Sequence, residues 1–444
     1  MTSLDRLRDG LAGQVLEPGM PGYEAVRRPA MARFWQVRPR AVVRCTAADD
    51  VAQALAFARR AGLPVVPRGG GHCFAGRSST DGIVLDMSPL NSIRVSPAGV
   101  ATIGAGARLA GVYDALDKHG LTLPAGCGPG VGIAGLTLGG GLGILGRRYG
   151  LTCDRLIGAQ VVLPDGRIVD CDEHREPGLF WALRGAGGGQ FGVVTSLVFD
   201  PVPAPQATRI EVTWRPADAA AVVAAWQQWA PGGPDGLAAS LSIAARSGEP
   251  AQVVMSGAML GPESDTAGLL GELARLAGAR PASQHLASLP YRDLKRSLAG
   301  PDAAEPARPV FSKSEFFGRP LPDRGVAELL DMFGQDRLPG QYRELNFTPM
   351  GGAYNRVPPS ATAFVHRCER FLLEHAATGP DAARWAQRSR AAVHPWASGR
   401  VYPNFPDPDL VNWAEAYHGG NHARLAEVKR SYDPHRLLHF PQSI

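Results

Sequence analysis

An α+β protein of two domains is what this chain predicts, and three observations carry the expectation. A βαβ rhythm occupies residues 41–66, a proline-dense stretch interrupts the sequence at Asp200–Pro205, and the strand-like runs beyond it lack the glycine-rich strand-to-helix turns that a parallel sheet repeats. The length of 444 residues, with 45% hydrophobic content, suffices for two or three domains around a large core.

The elements follow in order. Ala41–Cys45 is a short β-branched run, the apolar residues from Asp49 to Gly62 recur at helical spacing, and Leu63–Val66 is a second β-rich run. Ile83–Met87 and Gly99–Ile103 read as further strands, and Arg108–His119 as a helix stopped by Gly120. Val161–Val169 holds two β-rich arms around Pro164-Asp165-Gly166, a hairpin signal with a turn mechanism behind it. Asp200–Pro205 reads as a linker. Beyond it, Arg209–Trp214, Leu237–Ala245, Gln252–Met259 and Thr362–Val365 read as strands and Thr266–Ala277 as a helix, an order that fits an antiparallel sheet flanked by helices. The tail from Tyr402 to Ile444 regains dense aromatic and helical character.

Composition excludes several function classes. The net charge of +5 comes from 46 basic and 41 acidic residues without a Lys/Arg cluster, so no nucleic-acid partner is expected. No apolar run is long enough for a membrane span, and Met1–Arg8 lacks the charged-then-apolar pattern of a secretory signal, which makes a cytoplasmic location the expectation. Six cysteines occur without a CxxC pair or a zinc-like His/Cys spacing, so neither a metal site nor a disulfide framework is expected. Cys73 and Cys127 stand apart because they sit in glycine-rich segments.

The first of those segments, Pro67–Ser78, places His72 directly after Gly69, Gly70 and Gly71 and just beyond the β-branched pair Val65-Val66. Consecutive glycines free backbone N–H groups to turn inward around a diphosphate, an arrangement suited to a flavin nucleotide. An isolated loop of this kind is more often a surface turn with a solvated histidine, but a second glycine block at Gly126–Gly146 changes that balance.

Three separated segments then fit one family. Arg68–Ser78, Gly132–Gly143 followed by Tyr149-Gly150-Leu151, and the tail from Tyr402–Asp407 through Trp413, Tyr417, Asn421, Tyr432–Pro434 and Gln442–Ile444 together resemble the berberine-bridge-enzyme-like FAD-linked oxidases of the vanillyl-alcohol-oxidase fold. The resemblance implies an FAD-binding domain from residues 1–205 completed by residues 396–444, with residues 206–395 forming a substrate domain whose sheet roofs the isoalloxazine. It implies cofactor-binding roles for Arg68, Gly69, Gly70, Gly71, His72, Gly76, Ser78, Gly126, Cys127, Val131, Gly132, Gly135, Leu138, Gly139, Gly143, Gly192, Val193, Tyr402 and Asn404. His72 matches the histidine bonded to the flavin 8α-methyl group. Many relatives add a cysteine bond from Gly-x-Cys-x-x-Val-Gly, whereas this chain reads Gly126-Cys127-Gly128-Pro129-Gly130-Val131-Gly132. Glycine stands at the bonding position, so attachment through His72 alone is expected, with a one-residue backbone adjustment that brings Cys127 to the flavin as the alternative. Val131 matches the position that resembles an oxygen gate, which favours oxidase over dehydrogenase chemistry.

The largest departure concerns the active-site base. Relatives commonly carry Tyr-x-Asn-Tyr in the tail; here the segment is Tyr402-Pro403-Asn404-Phe405, and Phe405 cannot accept a proton. Tyr402, Glu374 and His375 are the candidates for the catalytic role, with Lys313, Glu315, Tyr354 and Asn355 as further polar residues of the substrate domain. An acidic substrate proton that leaves to water is the remaining option. Gln190 stands where the family usually has asparagine before Phe-Gly-Val, which predicts an altered local contact.

The expected function is an FAD-dependent oxidase of a small-molecule natural product, an alcohol, phenol, hydroquinone or amine, that delivers hydride to flavin N5 and electrons to O₂ with release of hydrogen peroxide. An alanine-, glycine-, proline- and arginine-rich composition suits a GC-rich bacterial genome and a role in antibiotic biosynthesis or self-resistance. Two alternatives stand beside it: a flavin-containing protein that sequesters a planar drug, and a redox-neutral cyclase on the same scaffold. The expected partners are the substrate and O₂, and the expected state is monomer or homodimer.

Overall fold

Short β-branched runs separated by a helix can return to one sheet only in parallel. Ala41–Arg44 and Val65–Arg68 do so on either side of Ile83–Asp86, joined by the helix Ala48–Ala61, while Gln14–Leu16 adds antiparallel to Ala41–Arg44. These strands belong to a computed structural model that describes residues 3–299 and 310–444. The helix starts where Asp50 accepts N–H bonds from Thr46 and Ala12, both at 2.8 Å, and ends at Gly62 in the left-handed conformation.

A second, five-stranded antiparallel sheet follows in the order Ile93–Val95, Ala101–Gly104, Val193–Phe199, Leu156–Val162 and Ile168–Cys171. The last two strands form the hairpin around Pro164–Gly166. The segment read as a linker is tied down instead. Val202-Pro203 pairs with Leu121-Thr122, and Ala204 N–H donates to Gly120 O at 2.8 Å, because these buried amides need partners.

Residues 206–378 build one seven-stranded antiparallel sheet, in the order Ser283–Pro290, Gln206–Trp214, Gln252–Met259, Leu237–Arg246, Tyr342–Pro349, Phe371–Thr378 and Val310–Phe317. One face is apolar: Ile210, Leu241, Met255, Phe347, Phe371 and Leu373 pack under the helices Ala219–Gly232, Asp323–Gly334 and Ala382–Val393. Trp226 anchors this layer, 5.7 Å from Phe347 and 6.0 Å from Phe371 between ring centroids, with its indole N–H on Ala239 O at 2.9 Å. Thr362–Val365 is not a strand. Ala363 and Phe364 donate their N–H groups to Trp181 O and Arg184 O at the end of the helix Pro177–Leu183, so this stretch joins the first domain rather than a ladder.

Side chains crossing between the domains are buried and charged. Arg367 grips Asp154 through two bonds of 2.6 and 2.8 Å and Thr362 Oγ1 at 3.0 Å, its own side chain fully enclosed. Arg147 donates to the carbonyls of Ala230, Pro231 and Gly233 at the end of the long substrate-domain helix. The tail docks through Lys429, whose ammonium meets Asp433 at 2.7 Å and the carbonyls of Gln190 and Leu438. Gln190 also accepts the N–H of Ile444 through its side-chain oxygen at 3.2 Å, which gives the glutamine in place of asparagine a structural use. No helix among the described residues is long and apolar enough to cross a membrane. Replacing Arg367 with alanine strands the Asp154 carboxylate in the seam and is expected to cost about 3–5 kcal/mol, measured as a lowered urea midpoint.

Candidate active site

The strand Val65–Arg68 delivers Gly69–His72 against a second loop, Gly128–Gly132, at a distance that only glycine permits. A Cβ on Gly70 would collide with the backbone nitrogen of Gly132, and a Cβ on Gly132 with that of Gly70. Gly71 holds φ +74° beside Pro29 and Ala30, a conformation that excludes most other residues. Arg108, at the start of the helix Leu109–Asp117, pins the two loops together: its Nη1 donates to Gly70 O at 3.1 Å and to Gly130 O at 2.6 Å. His72 faces Gly130, where an added Cβ would stand 3.3 Å from its Nε2. Burial, and after it the Arg108 charge, lowers the basicity of this imidazole.

Beyond these loops lies a cavity of about 330 Å³. Gly69, Gly70, Gly71, His72, Ser78, Val131, Gly132, Gly135, Leu138, Gly192 and Asn404 line it. So do residues the sequence reading left out, notably Val66, Met87, Gly187–Gly189, Phe74, Phe440 and Arg77. Val66 and Met87 supply an apolar wall, and the glycines supply a floor of bare backbone, so an extended dinucleotide such as FAD fits the lining. Among the described residues Arg77 is the one arginine or lysine on the wall. Its guanidinium lies over Phe440 and Tyr417, at 4.7 and 5.5 Å from the ring centroids, and its buried Nε has no hydrogen-bond partner.

Several residues expected to touch the cofactor stand behind the lining instead. Arg68 turns away and donates to Ser78 O, Val26 O and Arg27 O at 2.8–3.0 Å, so it fixes both ends of the glycine loop from outside. Gly76 makes room for the Phe34 ring, Gly139 for the Asn404 amide, and Gly143 for the backbone of Ala125. Val193 points into the core of the parallel sheet. Gly126 and Cys127 are held from the opposite side by Lys295, 3% exposed, which donates to Ala125 O at 2.9 Å, Gly126 O at 2.6 Å and Cys127 Sγ at 3.4 Å. The Cys127 thiol is thereby engaged away from the cavity, and Gly128 offers none.

The tail closes the site. Tyr402 was a candidate base, but its buried hydroxyl oxygen receives N–H bonds from Gly141 and Leu142, both at 3.1 Å, and from Asn404 Nδ2 at 2.9 Å. Burial raises its pKa to about 12, and it does not line the cavity. Its role is to join the tail to the Gly139–Leu142 turn, with Asn404 also bonded to Leu136 O at 2.9 Å. Phe405 does line the cavity, edge-on to Phe74 at 5.4 Å and to Tyr402 at 5.1 Å.

The sheet separates the remaining candidates by alternation. His375 lies on the helix-covered face, bonded to Ser389 at 2.8 Å and lowered by burial to a pKa of about 3, which removes it from the site. Glu315 and Lys313 share that face by register; Glu315 pairs with Arg390 and His394, and Lys313 with Asp407 and Asp409. Glu374 lies on the opposite face with Phe316 and Leu372, which pack against Tyr402 and Phe364, and like Tyr402 it stands behind the cavity lining. It accepts a 2.6 Å bond from Ser312 and is raised by burial to a pKa of about 7. Its register partners Ser314 and Asn346 each hold a buried side-chain oxygen without a hydrogen-bond partner, and the period-2 pattern was the signal that could have found them. Tyr354 exchanges bonds with Gly143, and Asn355 donates to Glu369 O, both as structural ties.

Known proteins place this architecture. Residues 39–172 match the model of the FAD binding domain, and residues 401–444 that of the berberine and berberine-like segment. An uncharacterized FAD-linked oxidoreductase, YgaK, of Bacillus subtilis (strain 168) is 34% identical over 98% of this chain and 97% of its own length. The chitooligosaccharide oxidase of Gibberella zeae is 28% identical over 91% of this chain and 87% of its own. Among solved structures, BBE-like 1 of Physcomitrella patens superposes with a TM-score of 0.91 at 27% identity, covering 100% of this chain and 99% of that one. The glucooligosaccharide oxidase of Acremonium strictum, which carries a 6-S-cysteinyl, 8α-N1-histidyl FAD, gives a TM-score of 0.89 at 25% identity over 100% and 99% of the two chains. Matches at both ends of the chain and a full-length superposition agree, and the chain belongs to the berberine-bridge-enzyme-like family of FAD-linked oxidoreductases.

Proposed function

We propose that this FAD-linked oxidoreductase is an oxidase of a small-molecule natural product, an alcohol, phenol, hydroquinone or amine, with its FAD attached through His72 alone. The observation that carries the reading is the placement of a weakly basic His72 on the wall of the glycine-lined cavity while the neighbouring thiol of Cys127 is engaged by Lys295. The bound FAD supplies hydride acceptance at N5 and reoxidation by O₂ to hydrogen peroxide. Val131 on the cavity wall supports the oxidase side of this reading, by resemblance to the oxygen-gating position.

The protein's own groups orient the substrate and hold its proton. Phe74 and Phe405 form an edge-on aromatic wall suited to a flat substrate. Glu374 takes the proton from the reacting hydroxyl or amine, because a carboxyl raised to about 7 is matched to that task near neutral pH. Ser314 and Asn346 bring unpartnered oxygens to the same patch and orient substrate hydroxyl or amino groups. With phenylalanine at 405, readily oxidised substrates whose protons are already acidic are favoured. A place in the biosynthesis of, or self-protection against, an antibiotic-type metabolite follows from that substrate class.

Acid precipitation of the wild type is expected to give a yellow pellet and one FAD-sized mass increment. His72→Ala abolishes the increment and Cys127→Ser leaves it unchanged; two attachment points, or loss of the increment in the cysteine variant, would overturn single-histidine attachment. For the base, kcat/KM with a turned-over phenol or alcohol falls as the pH drops through about 7, where Glu374 takes up its proton. Glu374→Gln lowers kcat about 10²-fold or more and removes that limb of the profile, and a variant that keeps both rate and limb would exclude the carboxylate.

A further inference from the structure

The attachment reading leaves open what makes His72 ready to bond, and the structure points to a residue outside the cavity lining. We infer that Arg108 is a positioning residue for covalent attachment at His72, clipping the two glycine loops into one rigid frame and placing a fixed positive charge beside the imidazole. The inference rests on the proposed His72 linkage and adds to it a specific second residue.

The geometric part stands on three observations. Arg108 Nη1 donates to two carbonyls, Gly70 O at 3.1 Å and Gly130 O at 2.6 Å, one from each loop. The loops it joins meet backbone to backbone at Gly70 and Gly132. His72 stands two residues beyond the first carbonyl and faces the residue that carries the second. No side chain links the loops at that point, because every residue in the contact is glycine, so the clip comes from a guanidinium reaching in from the next helix.

The charge has a chemical use. Bond formation joins a ring nitrogen of His72 to the flavin 8α carbon. One C–H of the methyl group and the imidazole N–H are given up as two protons, two electrons pass into the flavin, and O₂ removes them as hydrogen peroxide. Only an imidazole with a free lone pair can attack, and a cation held close to the ring disfavours the protonated form. The groups around His72 are few. Arg108 comes from the strand-to-helix turn, Cys73 and Arg77 from its own loop, and Cys127 from the facing loop with Lys295 on its thiol. Among the described residues no carboxylate pairs with the ring, and the hydrogen bond it makes to the Gly130 backbone opposes burial and the cation without outweighing them. Arg108 itself is exposed, so its field is open to screening by salt.

The test starts from full-length protein produced flavin-free in a riboflavin-starved host, mixed with FAD and followed by intact mass across a range of pH. Wild type is expected to gain one FAD-sized increment with a rate that rises with pH and levels off once His72 is neutral. Arg108→Gln is expected to attach about tenfold more slowly or worse, with the rise displaced to higher pH, and Arg108→Lys, which keeps the charge, to keep the rise at its wild-type pH. High salt on the unmodified protein is expected to move the rise the same way as Arg108→Gln, a measurement that needs no variant to fold. Wild-type rate and profile in Arg108→Gln overturn the inference. Uniform slowing at every pH that lysine does not relieve also overturns it, since that is loop disruption alone. Absence of any increment in wild type, or its persistence in His72→Ala, refutes the linkage itself and is distinct from both.

Discussion

The approach of Gly70 to Gly132 is the constraint on which the rest of the molecule depends. Two chain segments sixty residues apart meet with no side chain between them, and the surrounding structure is arranged to keep them there. The parallel sheet aims one loop, the helix Leu109–Asp117 clips it to the other through Arg108, and Lys295 reaches from the substrate domain to fix the far end of the second. The exposed guanidinium of Arg108 and the buried ammonium of Lys295 serve at these seams because each can satisfy several carbonyls that no ladder serves. A hydrophobic seam would pack as tightly but could not set the direction of a loop backbone.

The seven-stranded sheet divides its labour between faces. Aromatic and β-branched residues toward the helices supply the burial that holds the domain together, and the other face is free to carry Ser312, Ser314, Asn346 and Glu374. Contact between this face and the cavity wall runs through Phe316, Tyr402 and Phe405, with ring separations of 6.3 and 5.1 Å. Rigidity at Tyr402 therefore matters to both domains. Three N–H donors on one phenol oxygen make it a joint between the tail, the Gly139–Leu142 turn and the sheet, a use incompatible with free proton exchange toward a substrate.

Much of this was legible in the sequence where a residue type has a single physical use. Gly69–Gly71 and Gly132, read together, pointed to close backbone approach, and the break at Asp200–Pro205 marked the change of layer although the segment itself pairs with Leu121-Thr122. Long side chains were less legible, because their direction depends on tertiary partners. Arg68 was expected to touch the cofactor and instead holds its own loop from behind, while Arg77 and Arg108, unremarkable in sequence, face the cavity and the loops. Glu374 and His375 are neighbours, so alternation already put them on opposite faces of the sheet, and neither lines the cavity itself. The choice needed Ser389, which lies on a helix that the strand's own sequence says nothing about. Thr362–Val365 misled for a related reason: β-branched composition reported burial, and burial here is in a loop whose amides cap another helix.

Two departures from the family pattern bear on the same corner of the molecule. Gly128 removes the thiol that would tether the second loop to a flavin, and Lys295 draws the adjacent thiol of Cys127 away. The loop is held by hydrogen bonds from Lys295, from Tyr113 to Gly126 O at 2.7 Å, from Arg108 to Gly130 O and from the N–H groups of Leu109 and Ala110 to Val131 O and Pro129 O. Such bonds hold a backbone in place but allow it to yield in a way a thioether does not. At the other end of the cavity, Phe405 replaces a phenol with a hydrocarbon edge, so the wall there excludes water without offering a proton acceptor. On the reading proposed above, such a site would select substrates by shape and by their own acidity, and the polar sheet face with Glu374 would carry the discrimination that Phe405 cannot supply.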